Sequence, residues 1–212
     1  MANMEDVLDF YAQATDEHCI RLCVDERPCL LVGDVKAPLP RKPGVPKRID
    51  YEYFRLDPVL ILLAYNIDSG QRHLKICETR TKIDYARFLN EVIETHYPEA
   101  PCIGIVQDNL STHTKGSFYK AFEPEKARKL AQKVEFHFTP KHGSWLNMAE
   151  IEFSSLSRQC LDRRFPSLET LAKEVHAWEY QRNAQALKIH WSFTADMARH
   201  KLKPRYSKVF HY

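Results

Sequence analysis

"KIDYARFLNEVIETHYPEAPCIGIVQD", residues 82–108, changes its hydrophobic period part-way along. Over residues 82–98 the apolar side chains recur at the three- and four-residue spacing of one helix face, and Pro98 ends that pattern. Residues 102–108 then form a nearly uninterrupted apolar run, which is typical of a buried strand. A helix followed directly by such a strand indicates an α/β protein.

The flanking segments extend this pattern in both directions. Residues 19–24 and 29–35 are short apolar runs that predict a strand, a kink at Pro28, and a continuing or paired strand. Residues 58–80 predict a hairpin around the turn signal "NIDSG". Further along, the spacing of the apolar residues predicts one or two helices within 115–134, a strand over 134–140, and helices around 145–162 and 167–184. We therefore predict an α/β fold with a mixed central sheet flanked by helices.

Length and composition fit a single domain over residues 1–212, with a lead-in over 1–17 and a C-terminal tail over 185–212. An apolar content of 44% with 11% aromatic residues indicates a packed core rather than disorder. Lys and Arg outnumber Asp and Glu by only 31 to 28. Net charge therefore does not indicate a nucleic-acid partner, and any such prediction must depend on local clusters.

Nothing in the sequence predicts export or membrane insertion. The N-terminus lacks a basic segment followed by an unbroken apolar core, and no apolar run is long enough to span a bilayer. The six cysteines show no CxxC spacing, and several lie inside apolar runs. We expect reduced core cysteines, in preference to disulfides or zinc ligands, and a cytoplasmic protein.

One segment, residues 36–48, differs from the rest of the chain, and we call it the basic loop. It is rich in proline, which keeps it extended and removes backbone donors, so it cannot be an inner strand. It contains no acidic residue. Its cations are Lys36, Arg41, Lys42, Lys47 and Arg48.

Two aspartates follow apolar runs at the points where strands are expected to leave the sheet. Asp25 follows "RLCV" and Asp108 follows "GIVQ". Carboxylates at such positions lose hydration unless they have a partner, and a divalent cation is one suitable partner for two of them. The alternative is that each aspartate caps a turn or pairs with a lysine.

Two glutamates, Glu150 and Glu152, flank the apolar stripe of the helix predicted around 145–162. At about 100° per residue they lie on opposite sides of that stripe and about equally far from its centre. Periodicity therefore cannot decide which of them approaches the sheet. Two solvated acids at the border of the helix remain the simpler interpretation of this pattern alone.

Three sequence blocks resemble a known family. "CVDERP", "VQDNLSTHT" and "TPKHGSWLNMAEIEFSSLSRQCLDRR" are similar, in order and spacing, to the DDE superfamily endonuclease domain of mariner-related bacterial insertion-sequence transposases. The resemblance implies a ribonuclease H-like fold with Asp25, Asp108 and Glu150 as catalytic acids and metal ligands. It also covers Asn109 and His113, for which contact with DNA is one possible role, and Trp145 and Asn147.

The same resemblance implies the chemistry. Three carboxylates suit Mg²⁺, with Mn²⁺ able to substitute, and two ions per site would serve an in-line displacement. Cleavage at element ends and joining of 3′-hydroxyl ends to target DNA are the expected reactions. Phosphate contacts are expected from the basic loop and from Arg158, Arg163 and Arg164, although an ordinary solvated side chain is the alternative for each.

The expected partners are DNA and a second copy of the chain. Transposases of this type usually carry helix-turn-helix modules ahead of the catalytic domain, and the sequence before Asp25 leaves no room for them. A separate recognition polypeptide is therefore a further expectation, with action at the bacterial nucleoid. A non-catalytic DNA-binding or assembly partner, and a ribonuclease acting on RNA–DNA hybrids, are the competing hypotheses.

Overall fold

The computed structural model describes residues 1–15, 18–36, 39–40, 42–46, 48 and 50–202. Within them, five strands form one sheet in the order β3-β2-β1-β4-β5. The strands are β1 (Cys19–Asp34), β2 (Tyr53–Asn66), β3 (Arg72–Cys77), β4 (Cys102–Gln107) and β5 (Val134–Phe138). β1 pairs antiparallel with β2 and parallel with β4, so the sheet is mixed. The predicted α/β architecture is confirmed.

Helices cover both faces of this sheet. They are α1 (Ala2–Ala12), α2 (Lys82–His96), α3 (Phe118–Ala121), α4 (Pro124–Lys133), α5 (Met148–Leu156), α6 (Leu168–Ala184) and α7 (Ala195–Lys201). One core lies between the sheet and α2 to α4, and the other lies between the sheet and α1, α5, α6 and α7. A single 3₁₀ turn precedes α5, and a π-helical turn over Ser157–Leu161 follows it.

The helix predicted over 82–98 shows how local sequence determines an element. Thr81 is the N-cap of α2, and its hydroxyl accepts from the backbone N–H of Asp84 while the Asp84 carboxylate accepts from the N–H of Thr81. This reciprocal capping satisfies donors that the first turn cannot pair internally. The apolar face of α2 is buried, and Pro98 follows the end of the helix.

Strand β1 corrects the prediction of a kink at Pro28. It runs without interruption from Cys19 to Asp34, because Pro28 lies opposite Leu60 in the antiparallel ladder with β2. On its other side, β1 pairs with β4 only as far as Cys23, so no second ladder is interrupted there. The irregularity in register lies between Leu30 and Val32 instead. Asp25 is therefore a mid-strand residue, two positions beyond the end of the parallel pairing.

The segments named as the N-terminal lead-in and the C-terminal tail both contain helices. The N-terminal lead-in forms α1, which buries Met4, Val7 and Phe10 against the core that α5 also covers. The C-terminal tail contains α7, whose Ala198 is fully buried in that core, while residues 203–212 lie outside the described part of the chain. Both helices therefore pack in the same core as α5.

The prediction of six reduced cysteines is wrong for one pair. Cys19 and Cys102 lie opposite each other in the first register position of the β1–β4 ladder and form a disulfide. They are separated by 83 residues, so sequence spacing gave no indication of the pairing. Cys23, Cys29, Cys77 and Cys160 are free. No helix among the described residues is both long and apolar enough to cross a bilayer.

Candidate active site

Asp25 is a buried carboxylate on the face of β1 that packs against α5. Its side chain shares that face with Cys23, and the residue is 8% exposed. Burial raises the pKa of Asp25 to about 7; the N–H of Glu26, which donates to its Oδ1 at 2.8 Å, lowers it, and the charges of Glu150 and Asp108 raise it. The charges of the two other acids implied by the resemblance therefore act on Asp25.

Asp108 follows the last residue of β4 and contacts a buried histidine. Its Oδ1 lies 2.6 Å from Nδ1 of His113, whose side chain is fully buried against the ring of Tyr85. Burial alone would lower the pKa of His113, but Asp108 and Glu26 raise it to about 9. Direct contact of His113 with DNA is therefore not supported, because its ring has no exposed surface. Its visible role is to hold Asp108.

Glu26 supplies the second partner of His113. Because successive strand residues face opposite sides of a sheet, Glu26 points away from Asp25 and toward α2. Its Oε2 lies 3.6 Å from Nε2 of His113, and its other oxygen pairs with Arg80. An alternating chain of charges thus runs from Asp108 through His113 and Glu26 to the partly exposed Arg80. Glu26 and Arg80 were not among the residues predicted from the sequence, although the run "CVDER" places a second acid beside Asp25.

Helix α5 distinguishes the two glutamates that periodicity could not separate. Glu150 lies in its first turn and is exposed, and its charge acts on Asp25. Glu152 is fully buried and pairs with Arg72 and Arg182. No interaction among the described residues joins Glu152 to Asp25 or Asp108. Of the two glutamates, Glu150 is therefore the one whose charge acts on Asp25.

The segment before α5 fixes the start of that helix to β1. Asn147 is the N-cap, and its Oδ1 accepts from the N–H of Ala149. Its amide nitrogen donates to the carbonyl of Val24 at 2.9 Å and to Oδ2 of Asp25 at 3.3 Å. Trp145 is half-exposed and packs edge-on against Phe193, so it combines packing with surface exposure.

A cleft of about 500 Å³ opens beside Asp108. Its wall includes the exposed Asn109 and the loop from Thr139 to Ser144 that leads into α5. His142 in this loop has a φ of 63°, a left-handed conformation that is uncommon outside glycine and recurs at functional sites. The cleft therefore places an amide and several polar groups next to the predicted catalytic aspartate.

The carboxylates fit a hard divalent cation by their chemistry, although they do not form a closed cage. Over the described ranges, no group of three or more His, Cys, Asp or Glu side chains is close enough to hold a metal ion. Carboxylate oxygens are nevertheless the ligands that Mg²⁺ and Mn²⁺ take, usually together with water and substrate oxygens. Burial, together with the charges of Glu150 and Asp108, disfavours the ionised form of Asp25, and a bound cation would favour that form again.

Comparison with known proteins gives the family of the chain. The model of the DDE superfamily endonuclease family matches residues 21–172. The chain belongs to this family. No match to the sequence was found among the curated proteins. The matched region contains Asp25, Asp108 and Glu150, and it also contains Asn147 and Glu152.

Solved structures of Mos1 transposase show the same fold. The paired-end complex with the left transposon end superposes with a TM-score of 0.56 at 17% identity, covering 98% of this chain and 61% of that one. The Mos1 strand transfer complex gives a TM-score of 0.58 at 16% identity, covering 98% of this chain and 58% of that one. The Mos1 paired-end complex with Mn gives a TM-score of 0.57 at 18% identity, covering 98% of this chain and 59% of that one. The chain thus spans about three fifths of the length of these Mos1 chains, and its fold is that of a ribonuclease H-like transposase core.

The described residues of the basic loop of this DDE endonuclease domain pair with one another between β1 and β2. Backbone bridges join Leu39 to Arg48 and Lys42 to Val45, and the side chains of Lys42 and Arg48 are exposed. Lys36 lies 3.3 Å from Asp50 and remains largely exposed. The predicted contacts Arg41 and Lys47 lie outside the described residues.

The second predicted basic cluster, Arg158, Arg163 and Arg164, contains both exposed side chains and one that holds other segments together. Arg158 is exposed on the turn after α5, and Arg163 pairs with Glu174 at 2.7 Å. Arg164 donates to Asp34 at 2.6 Å and to the carbonyl of Asp50 at 2.9 Å. Because its guanidinium is already engaged in joining the two ends of the basic loop, phosphate binding by Arg164 is not supported, and we assign it a structural role.

Proposed function

We propose that this chain is the catalytic domain of a mariner-related transposase of a bacterial insertion sequence, which cleaves phosphodiester bonds at element ends and joins 3′-hydroxyl ends to target DNA. The observation that carries the proposal is that the charges of Asp108, just after a strand end, and of Glu150, in the first turn of α5, act on the buried Asp25 of the mid-sheet strand β1. Family membership and the shared fold with Mos1 support it.

The residues at this site have two proposed roles, metal binding and positioning of the metal ligands. Asp25, Asp108 and Glu150 would hold Mg²⁺ or Mn²⁺, and bound ions would supply Lewis acidity to the attacking and leaving oxygens. His113 keeps the Asp108 carboxylate in place, and Asn147 orients Asp25. The cleft beside Asp108 gives room for a nucleotide, with Asn109 on its wall.

DNA is the proposed partner. The matched Mos1 structures include a paired-end complex with a transposon end and a strand transfer complex, and by analogy we expect transposon ends and target DNA for this chain. Action as a homodimer on DNA, with recognition by a separate helix-turn-helix polypeptide, completes the proposal. Lys36, Lys42 and Arg48 would contact phosphates from the basic loop, and Arg158 and Arg163 would do so from the segment that follows α5.

A plasmid-nicking assay tests the function. With Mg²⁺ or Mn²⁺ the wild-type chain should nick supercoiled DNA, and Asp25→Asn, Asp108→Asn and Glu150→Gln should each abolish nicking while retaining DNA binding. Glu135→Gln, an exposed acid on β5, is the matched control and should remain active. Equal nicking by all three site variants would favour the non-catalytic partner, and preferential cutting of an RNA–DNA hybrid would favour a ribonuclease.

A further inference from the structure

The buried glutamate of α5 takes no part in the candidate active site. Glu152 follows Glu150 by two residues, so the two side chains leave the helix about 200° apart. Glu150 is exposed, whereas Glu152 is fully buried. One face of the helix therefore carries the proposed metal ligand, and the other carries a carboxylate deep in the protein.

Two arginines enclose the Glu152 carboxylate. Arg72 of β3 donates from Nε to Oε2 at 2.6 Å and from Nη2 to Oε1 at 3.0 Å. Arg182 of α6 donates from Nη2 to Oε1 at 3.0 Å and to Oε2 at 3.2 Å. Each guanidinium also lies over an aromatic ring, Arg72 over Tyr65 and Arg182 over Trp178. Both carboxylate oxygens are thus held from two directions.

Arg72 is itself fixed by its surroundings. Its guanidinium donates to the carbonyls of Gly70 and Leu187. Its backbone N–H donates to Oδ1 of Asn183 at 2.8 Å, and Asn183 returns a bond to the carbonyl of Arg72 at 2.8 Å. The orientation of the Glu152 partner is therefore determined by β3, the β2–β3 turn and the end of α6 together.

Stability alone does not account for this network. Burying three charged groups costs hydration, and a well-packed apolar set in the same volume often stabilises a protein as well or better. An apolar contact would let the helix turn slightly about its axis, whereas a two-pronged arginine–carboxylate contact fixes the angle. With the Glu150 carboxylate about 6 Å from the axis, a turn of about 15° would move it by about 1.5 Å, beyond the roughly 0.5 Å that a catalytic constellation tolerates.

We propose that Glu152, Arg72 and Arg182 are positioning residues that set the rotation of α5 so that Glu150 faces Asp25 and Asp108. This inference rests on the proposed function, since it assigns the network to the placement of a metal ligand. Asn147 holds the start of the helix to β1, and the Glu152 network holds its middle to β3 and α6.

The test compares Glu152→Gln with a matched control. Asp68→Asn removes one partner of another ion pair, the partly buried pair of Asp68 with Arg21 at the β2–β3 turn. Both variants should lose stability, but only Glu152→Gln should raise the Mg²⁺ concentration for half-maximal nicking, by roughly 10- to 100-fold. DNA affinity should stay within about twofold of wild type, because neither residue is among the proposed phosphate contacts.

Two further measurements keep the inference separable from the proposed function. Mn²⁺ binding followed by calorimetry should weaken in Glu152→Gln and not in Asp68→Asn, and hydrogen exchange should accelerate in α5. These readouts stand even if wild type fails to nick DNA, which would refute the proposed function alone. If Glu152→Gln does not fold, Arg182→Gln, which leaves the Arg72 contact, should show a smaller shift in the same direction. Unchanged Mg²⁺ and Mn²⁺ dependence in the folded variants would overturn the inference.

Discussion

The side-chain amide of Asn147 donates to Oδ2 of Asp25 at 3.3 Å, and the same nitrogen donates to the carbonyl of Val24 at 2.9 Å. Asn147 is also the N-cap of α5 and is almost completely buried. One side chain therefore begins the helix that carries Glu150 and orients the carboxylate on the neighbouring strand. Two of the three proposed metal ligands are related through it.

Asn147→Ala should lower both stability and cleavage. Loss of the cap costs about 1 kcal/mol, and loss of the bond to the Val24 carbonyl costs about 1 kcal/mol more, so we expect a loss of about 2 kcal/mol in the free energy of unfolding. Metal-dependent nicking should fall by roughly 10- to 100-fold because Asp25 is no longer oriented. Urea unfolding and single-turnover nicking measure the two effects.

The control for Asn147 is a cap without a catalytic neighbour. Ser167 caps α6 by accepting from the N–H of Thr170. Ser167→Ala should cost about 1 kcal/mol and leave nicking unchanged. If the two variants reduce nicking equally, Asn147 contributes to the site only through stability.

The sequence predicted the elements of this fold better than their contacts. Periods of 3.6 and 2 depend on local burial, and they correctly predicted β4, α2 and the β2–β3 hairpin. Helix α1 was not predicted, although Met4, Val7, Leu8 and Tyr11 have the spacing of one helix face. The local sequence could not predict which of Glu150 and Glu152 is buried, because the burial of Glu152 depends on its pairing with Arg72, 80 residues away in sequence.

His113→Phe should destabilise the protein strongly. Phenylalanine can keep the contact with Tyr85, but it leaves Asp108 and Glu26 without the cation between them. Removing one member of a buried charged set costs roughly 3–5 kcal/mol, and the partial exposure of Asp108 places the expectation at about 3 kcal/mol. Chemical denaturation at pH 7 provides the measurement.

His137→Phe is the matched comparison for His113. His137 is also buried and stacks on Phe10, but its acidic partner Asp6 is half-exposed and remains hydrated when the histidine is removed. Its Nε2 has no hydrogen-bond partner among the described residues. We expect a cost below about 1 kcal/mol. Similar losses for the two variants would argue against a charged role for His113.

His73 should make the fold sensitive to acid. Burial lowers the pKa of His73 to about 4, with a further contribution from His96, which stacks on its ring at 3.7 Å. Its Nε2 contacts the hydroxyl of Tyr97 at 3.0 Å, and Glu179, from α6, accepts from the N–H of the next residue. Because the unfolded chain binds a proton that the folded chain does not, stability is complete above about pH 6.5 and is lost as pH falls toward 4.

The expected loss from His73 between pH 7 and pH 4 is roughly 3 kcal/mol. His73→Gln should reduce the difference between urea midpoints at pH 7 and pH 4.5. The exposed His200→Gln on α7 should leave that difference as in wild type. An unchanged pH dependence in His73→Gln would show that other groups determine the acid sensitivity.

The basic loop should contribute affinity for DNA without sequence preference. Lys42 and Arg48 are exposed on a short bridged extension, and Lys36 is largely exposed beside its partner Asp50. Each phosphate contact releases condensed counterions, so replacing Lys42 and Arg48 with Gln should flatten the dependence of log K on log salt by roughly 0.9 for each cation that binds a phosphate. Binding should weaken equally for all DNA sequences, because phosphate contacts carry no base information.

The control for the basic loop is Lys129→Gln on α4, which replaces an exposed lysine paired with Glu125 and should leave the salt dependence unchanged. A slope equal to wild type in the loop variant would mean that these cations serve assembly or solubility rather than DNA binding.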